Sequence, residues 1–180
     1  ATVTFLFTDI EGSTRLWEQS PAQMGTALAR HDALLRTAIA DNEGSVFATG
    51  GDAFSAAFPT AAAALAAARA AQRALAAEPW PEPARIKVRM ALHTGGAEVR
   101  DNDYFGPPLN RVARLLAAGH GGQVLVSLAT QELVRDGLPV GVALRDLGER
   151  RLKDLMRPER VYQLVAPDLP AVLRFAGVPA

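Results

Sequence analysis

Phe7-Thr8-Asp9-Ile10-Glu11-Gly12-Ser13-Thr14 is the stretch on which the reading of this chain turns. Thr2 to Thr8 is dense in β-branched and aromatic residues, which fit a pleated, half-buried surface, so a strand is expected there. The strand ends in Asp9, Glu11-Gly12-Ser13-Thr14 makes a tight loop, and the mixed apolar and charged residues behind it begin a helix. A carboxylate at the end of a buried strand, followed by amides at a helix N-terminus, suits a metal-bound polyphosphate. The same carboxylate also suits an ordinary helix cap, and local sequence leaves both readings open.

Outward from that loop the elements keep alternating. From Pro21 to Asn42 the residues Met24, Leu28, His31, Leu34, Leu35 and Ile39 keep helical spacing, and Gly44 provides a stop. Ser45 to Thr49 and Asp52 to Phe58 read as paired strands turning on Gly50-Gly51. Alanine-rich Ala61 to Ala77 favours helix, ended by the prolines at 79, 81 and 83. Arg85 to Thr94 is expected as a strand ending at Gly95-Gly96, and Pro107-Pro108 opens a helix through Ala118. Gln123 to Ser127 reads as a strand, Leu128 to Arg135 as a helix, and the stretches around Val140 to Leu147 and Arg160 to Val165 as late strands. This order predicts an α/β (α+β) sandwich: a ferredoxin-like βαββαβ core with an added helix and C-terminal strands. One domain is expected over residues 1–166, with 167–180, which hold three prolines, as a tail or linker.

Composition narrows the partners. The 180 residues suffice for one sizeable core. Nineteen acidic and nineteen basic residues cancel, so no broad attraction to nucleic acid or anionic membrane is expected, and phosphate chemistry must rest on local sites. The lack of cysteine excludes disulfides, thiolate metal sites and cysteine nucleophiles. No apolar run approaches the ~20 residues of a membrane span, and the start has no secretory pattern, so a cytoplasmic location is expected. A chain beginning on Ala1 also fits a domain cut from a longer protein with regulatory domains.

Asp52, at the hairpin, is a second carboxylate. If its strands pair beside the first, Asp9 and Asp52 converge, and two carboxylates at one edge are what a two-metal phosphoryl-transfer site needs. Standing alone, Asp52 reads more readily as an ordinary turn residue. A third cluster is Asp103-Tyr104-Phe105-Gly106 followed by Asn110 and Arg114, which lie four apart on one helix face, with Leu109, Val112, Ala113 and Leu116 placed to pack beneath; a solvated face is the plainer alternative. Lys153 is a further cation that also reads as a surface charge. His31, His93 and His120 lack ligand spacing and are expected to pack or lie on the surface, and no catalytic triad or P-loop lysine is present.

Taken together, the three clusters resemble the class III adenylate/guanylate cyclase family, from Val3 to about Val165. The resemblance implies that Asp9 and Asp52 bind two divalent ions, Mg2+ or Mn2+, with the Ile10 carbonyl as a further ligand and Gly12, Ser13 and Thr14 along the phosphates. It implies a homodimer whose other subunit supplies Asp103 to the adenine amino group, Asn110 to the ribose and Arg114 to the α-phosphate, with Lys153 nearest to the family's phosphate-binding lysine. The implied reaction is ATP to cyclic AMP and pyrophosphate.

Two departures mark this sequence. Leu152-Lys153-Asp154-Leu155 lacks the family's glycine after the lysine, and Ala48 stands where members that choose ATP carry a lysine, four residues before Asp52. Losing a hydrogen bond to a charged group costs on the order of 1.5–3 kcal/mol, so weaker nucleotide affinity or discrimination is expected. Asp103 still meets the adenine amino group favourably and guanine O6 unfavourably, which tilts the reading from GTP toward ATP. A diguanylate cyclase reading rests on Gly50-Gly51-Asp52-Ala53-Phe54, but Ala53 lacks the expected acid and Asn110 and Arg114 go unexplained. Ala48 also keeps open a catalytically weak or silent cyclase-like module that binds nucleotide or dimerises to regulate other domains.

Overall fold

The computed structural model describes residues 2–170. In chain order the elements are β1 (Thr2–Ile10), α1 (Ser13–Gln19), α2 (Pro21–Asp41), β2 (Ser45–Gly50), β3 (Ala53–Phe58), α3 (Ala61–Ala77), β4 (Val88–Gly96), β5 (Glu98–Arg100), β6 (Asp103–Phe105), α4 (Pro107–Ala117), β7 (Val124–Ser127), α5 (Leu128–Val134), β8 (Ala143–Arg150) and β9 (Glu159–Val165). Seven strands form one sheet in the order β2-β3-β1-β4-β7-β9-β8, and β5 pairs with β6 apart from it. The first four positions, β2-β3-β1-β4, are the ferredoxin-like core expected from the sequence; β7, β9 and β8 extend it.

β1 lies between β3 and β4, antiparallel to both. Its side chains alternate between the two faces of the sheet. Leu6 and Ile10 join the core beneath α2 and α3, with Met24, Leu35, Phe54, Phe58, Leu65, Met90 and Leu92. Phe5 faces the other way, with Ala91, Leu125 and Val161, onto Val112, Leu115 and Leu116 of α4. The period of two therefore brings Asp9 out on the α4 face. On α3, the small fully buried Ala64, Ala67, Ala68 and Ala71 let the helix lie close, while Thr60 accepts from Ala63 N at 3.1 Å as its cap.

Several boundaries differ from expectation. The hairpin turns on Gly51-Asp52 rather than Gly50-Gly51: Gly50 pairs with Ala53, and Gly51 takes the positive φ of 60°. β4 begins at Val88, not Arg85, because its partner β1 ends at Ile10, which pairs with Val88. β8 runs later than expected, leaving Val140 outside it and exposed. On α4 the buried stripe is Val112, Leu115 and Leu116, and Ala113 faces solvent. The β5–β6 hairpin was not anticipated; its turn is Asp101-Asn102, both at positive φ, the residue types that best tolerate that conformation. Of the expected tail, residues 171–180 lie outside the described residues. Within 167–170, Asp168 meets Arg69 and Arg73 of α3 at 3.3 and 3.2 Å.

Candidate active site

Pairing β1 with β3, and turning β3 back to β2 immediately beyond, brings two distant carboxylates to one end of the sheet. Asp52 accepts a hydrogen bond from Ile10 N at 3.1 Å, so it sits beside the residue that follows Asp9. The Ile10 position thus touches Asp52 through its amide, and its carbonyl lies on the same short segment. Two carboxylates and a carbonyl are an all-oxygen donor set of the type Mg2+ and Mn2+ accept, leaving positions for water and phosphate. Among the described residues no group of three or more His, Cys, Asp or Glu is arranged to hold a metal, so any ion here depends on these two side chains and the backbone.

Asp9 has a partner the sequence reading missed. Arg89 stands directly opposite it in the β1–β4 register and grips the carboxylate with both ends of its guanidinium: Nε lies 2.6 Å from Oδ1, and Nη2 donates to Oδ2. The pair is half-buried, and the Asp9 contact holds the Arg89 pKa above its ordinary value against the opposing effect of burial. The sequence carried part of the signal, since a charged residue inside the apolar run of β4 needs a partner, but only the register identifies that partner as Asp9.

Gly12 closes the loop after Asp9 in the left-handed conformation, φ 66°, and its carbonyl accepts from Leu16 N, so α1 starts immediately at Ser13. Ser13 is half-buried and Thr14 exposed. Glu11 anchors the loop from below, its carboxylate accepting from Gly121 N at 3.1 Å while its own amide donates to the Lys87 carbonyl at 2.9 Å.

The remaining predicted residues gather separately. Asn110 is exposed on α4; Arg114, one turn on, pairs with Asp154 at 3.0 Å, fastening the β8–β9 loop and its exposed Lys153 to α4. Arg111 on the same helix pairs with Glu159. Asp103 accepts from Tyr104 N at 2.8 Å, and Tyr104 packs edge-on to Phe47 and Phe5, with ring centroids 4.9 and 5.3 Å apart. That aromatic cluster brings β6, through Tyr104, against Phe47 of β2, where the strand bulges between Val46 and Ala48. Among the described residues no hydrogen bond or ion pair joins Asp9 or Asp52 to Asp103, Asn110, Arg114 or Lys153. Within one chain the two groups of residues are thus not joined directly.

The sequence profile of the adenylate and guanylate cyclase catalytic domain matches residues 1–165. An uncharacterised protein of Mycobacterium tuberculosis is 44% identical over 170 residues, covering 93% of this chain and 57% of that protein. The adenylate cyclase of Podospora anserina is 30% identical over 217 residues, covering 90% of this chain and 10% of that protein. Among solved structures, an adenylate/guanylate cyclase/hydrolase from Silicibacter pomeroyi superposes with a TM-score of 0.77 at 32% identity, covering 93% of this chain and 98% of that one. An adenylate cyclase domain of Trypanosoma brucei, solved in its monomeric state, gives 0.84 at 27%, covering 97% and 93%. The chain belongs to the adenylate and guanylate cyclase catalytic-domain family, and its fold is that of the class III cyclase domain. It spans little more than half the length of the mycobacterial relative.

Proposed function

We propose that this domain is an adenylate cyclase, converting ATP to 3′,5′-cyclic AMP and pyrophosphate at two equivalent sites of a homodimer. The observation that carries this reading is the separation of half-sites: Asp52 is locked to the Ile10 amide beside Asp9, while Asn110, Arg114 and Lys153 gather on α4 and its neighbouring loop. A symmetric pair of chains would let each protomer complete the other's site.

In this reading Asp9, Asp52 and the Ile10 carbonyl hold two Mg2+ or Mn2+ ions. Such ions, when bound, favour the deprotonated 3′-hydroxyl and neutralise the charge of the departing pyrophosphate. The loop Gly12-Ser13-Thr14 lies along the phosphates. Asp103 accepts from the adenine amino group, Asn110 orients the ribose, and Arg114 and Lys153 of the partner subunit stabilise negative charge on the phosphates. The ribose 3′-oxygen bonds to the α-phosphorus as the bond to the β-phosphate oxygen breaks; the hydroxyl proton passes to solvent. With Asp9 engaged by metal, the Arg89 guanidinium that now pairs with it would be available as a donor to the triphosphate, where fixed donors lower the barrier.

Adenylate cyclases among the relatives and the chemistry of Asp103 favour ATP over GTP. Residues 1–166 are read as the catalytic domain and 167–180 as a tail or linker. No described helix is long and apolar enough to cross a membrane; the cytoplasmic location expected from the sequence stays part of this reading. Ala48 and the occupied carboxylate of Asp9 favour a second reading, a weak or silent module that dimerises to regulate neighbouring domains.

The test is cyclic nucleotide formation from ATP and GTP, with magnesium or manganese, by the purified domain and by Asp52→Ala. Cyclic AMP made by the wild type and lost in the variant supports the enzyme. No cyclic product under any condition favours the silent module.

A further inference from the structure

Below the metal-bearing hairpin, on the α2 side of the sheet, two buried polar atoms have no hydrogen-bond partner among the described residues: His31 Nε2 and Thr8 Oγ1. His31 is 0% exposed and Thr8 1%. Their chemistry is complementary. His31 Nδ1 lies 2.8 Å from Asp32 Oδ1, and an ionised carboxylate only accepts, so Nδ1 carries the proton and Nε2 presents a bare lone pair. Burial holds the ring's basicity below its ordinary value despite Asp32, which keeps it neutral. Thr8, with a rotatable hydroxyl, is free to donate.

Both residues adjoin Phe54. His31 packs edge-on against Phe54, with centroids 5.8 Å apart and planes at 73°; Thr8 is the residue directly opposite Phe54 in the β1–β3 register. The Arg36 guanidinium covers Phe54 at 5.1 Å. Thr8 immediately precedes Asp9, and Phe54 follows Asp52 by two residues. Buried polar atoms are rarely left unsatisfied, and a donor and an acceptor flanking one side chain are the setting in which an internal water bridges.

We propose that one buried water joins the Thr8 hydroxyl to His31 Nε2, making His31 a positioning residue that fastens α2 to the ends of β1 and β3 carrying Asp9 and Asp52. The proposal rests on the reading of those two carboxylates as metal ligands. It assigns a task to a helix that supplies no other residue to the site. His31 and Thr8 act through the strands they hold, not on substrate.

The test is a double-mutant cycle read by Mn2+ binding, followed by electron paramagnetic resonance, on the whole chain with 3′-deoxy-ATP, which cannot cyclise. Thr8→Val and His31→Leu are each expected to weaken Mn2+ binding several-fold, the double variant to be no worse than the weaker single one, and Thr8→Ser to bind as the wild type does. Thr8→Val keeps the shape of the side chain, so its folding is checked by the same thermal melt as Thr8→Ser. In ¹⁵N spectra the His31 Nε2 resonance is expected to move in Thr8→Val and to stay in Thr8→Ser. Losses that multiply in the double variant, or unchanged binding in Thr8→Val, overturn the proposal. Mn2+ binding that survives Asp52→Ala overturns instead the metal reading beneath it.

Discussion

Arg89 holds the carboxylate of Asp9 from the neighbouring strand, with Nε 2.6 Å from Oδ1 and Nη2 on the other oxygen. A two-pronged guanidinium–carboxylate contact in a half-buried setting is among the stronger polar contacts a protein makes. It competes directly with any cation seeking the same oxygens. Arg89→Met is therefore expected to bind Mn2+ more tightly than the wild type without nucleotide, by roughly tenfold. Its cyclase activity is expected to fall, because the released guanidinium is no longer there for the phosphates. Titration calorimetry with Mn2+ and a turnover assay check the two halves; weaker metal binding would contradict the competition.

Ala48 lies at the β2 bulge, next to Phe47, whose ring meets that of Tyr104, the residue after Asp103, at 4.9 Å. In the proposed site a lysine there would add a donor to the adenine contact assigned to Asp103. Ala48→Lys is expected to raise kcat/KM for ATP over GTP by about 10- to 100-fold, the range that follows from one hydrogen bond to a charged group. Steady-state kinetics with both nucleotides decides it.

His93 is buried on the α4 face, its Nδ1 2.7 Å from Ser127 Oγ. Burial, with the Arg111 charge adding to it, pushes the imidazole down to about 4 from an ordinary 6.5. Between those values the unfolded chain takes up a proton that the folded chain refuses, so stability falls as pH drops from about 6.5 toward 4, by roughly 3 kcal/mol in all. His31 is lowered in the same direction and adds to the slope. Thermal melts across that range should show a shallower fall for His93→Gln than for the wild type; identical slopes would contradict the assignment.

Gly121 receives Glu11 at its amide, and a Cβ there would lie 2.6 Å from Lys87 Cβ and 2.8 Å from Glu11 Oε2. Gly121→Ala must push aside both strand and loop. A loss of about 1–3 kcal/mol is expected in denaturant unfolding, as overpacking typically costs. Turnover should fall further than Glu11→Gln alone causes, since both partners of the loop shift.

Much of this was legible in the chain. The alternation of β1, the glycine-bearing hairpin and the alanine-rich α3 announce themselves through local spacing, and with them the sheet order that joins Asp9 to Asp52. What local spacing could not show was cross-strand register. Arg89 faces Asp9 only because β4 starts at Val88 and runs antiparallel to β1, a pairing between residues 80 apart. The β5–β6 hairpin was hidden by the shortness of its strands, three residues each, although Asp101-Asn102 carried the turn signal. Ala113 was assigned inward because a four-residue spacing alone does not fix which way a helix rolls; the buried stripe centres on Val112, Leu115 and Leu116. The unpaired atoms of Thr8 and His31 arise from packing alone.

The central claim, that each site is shared between two chains, is tested most directly by mixing two inactive variants. Asp52→Ala removes a residue from the metal half-site and Arg114→Ala one from the other, and a mixed dimer holds one doubly damaged site and one intact. Co-expressed or refolded together in equal amounts, random pairing yields half mixed dimers, so activity is predicted to return to about a quarter of the wild-type level. No recovery from a mixture shown to contain mixed dimers would contradict the shared site.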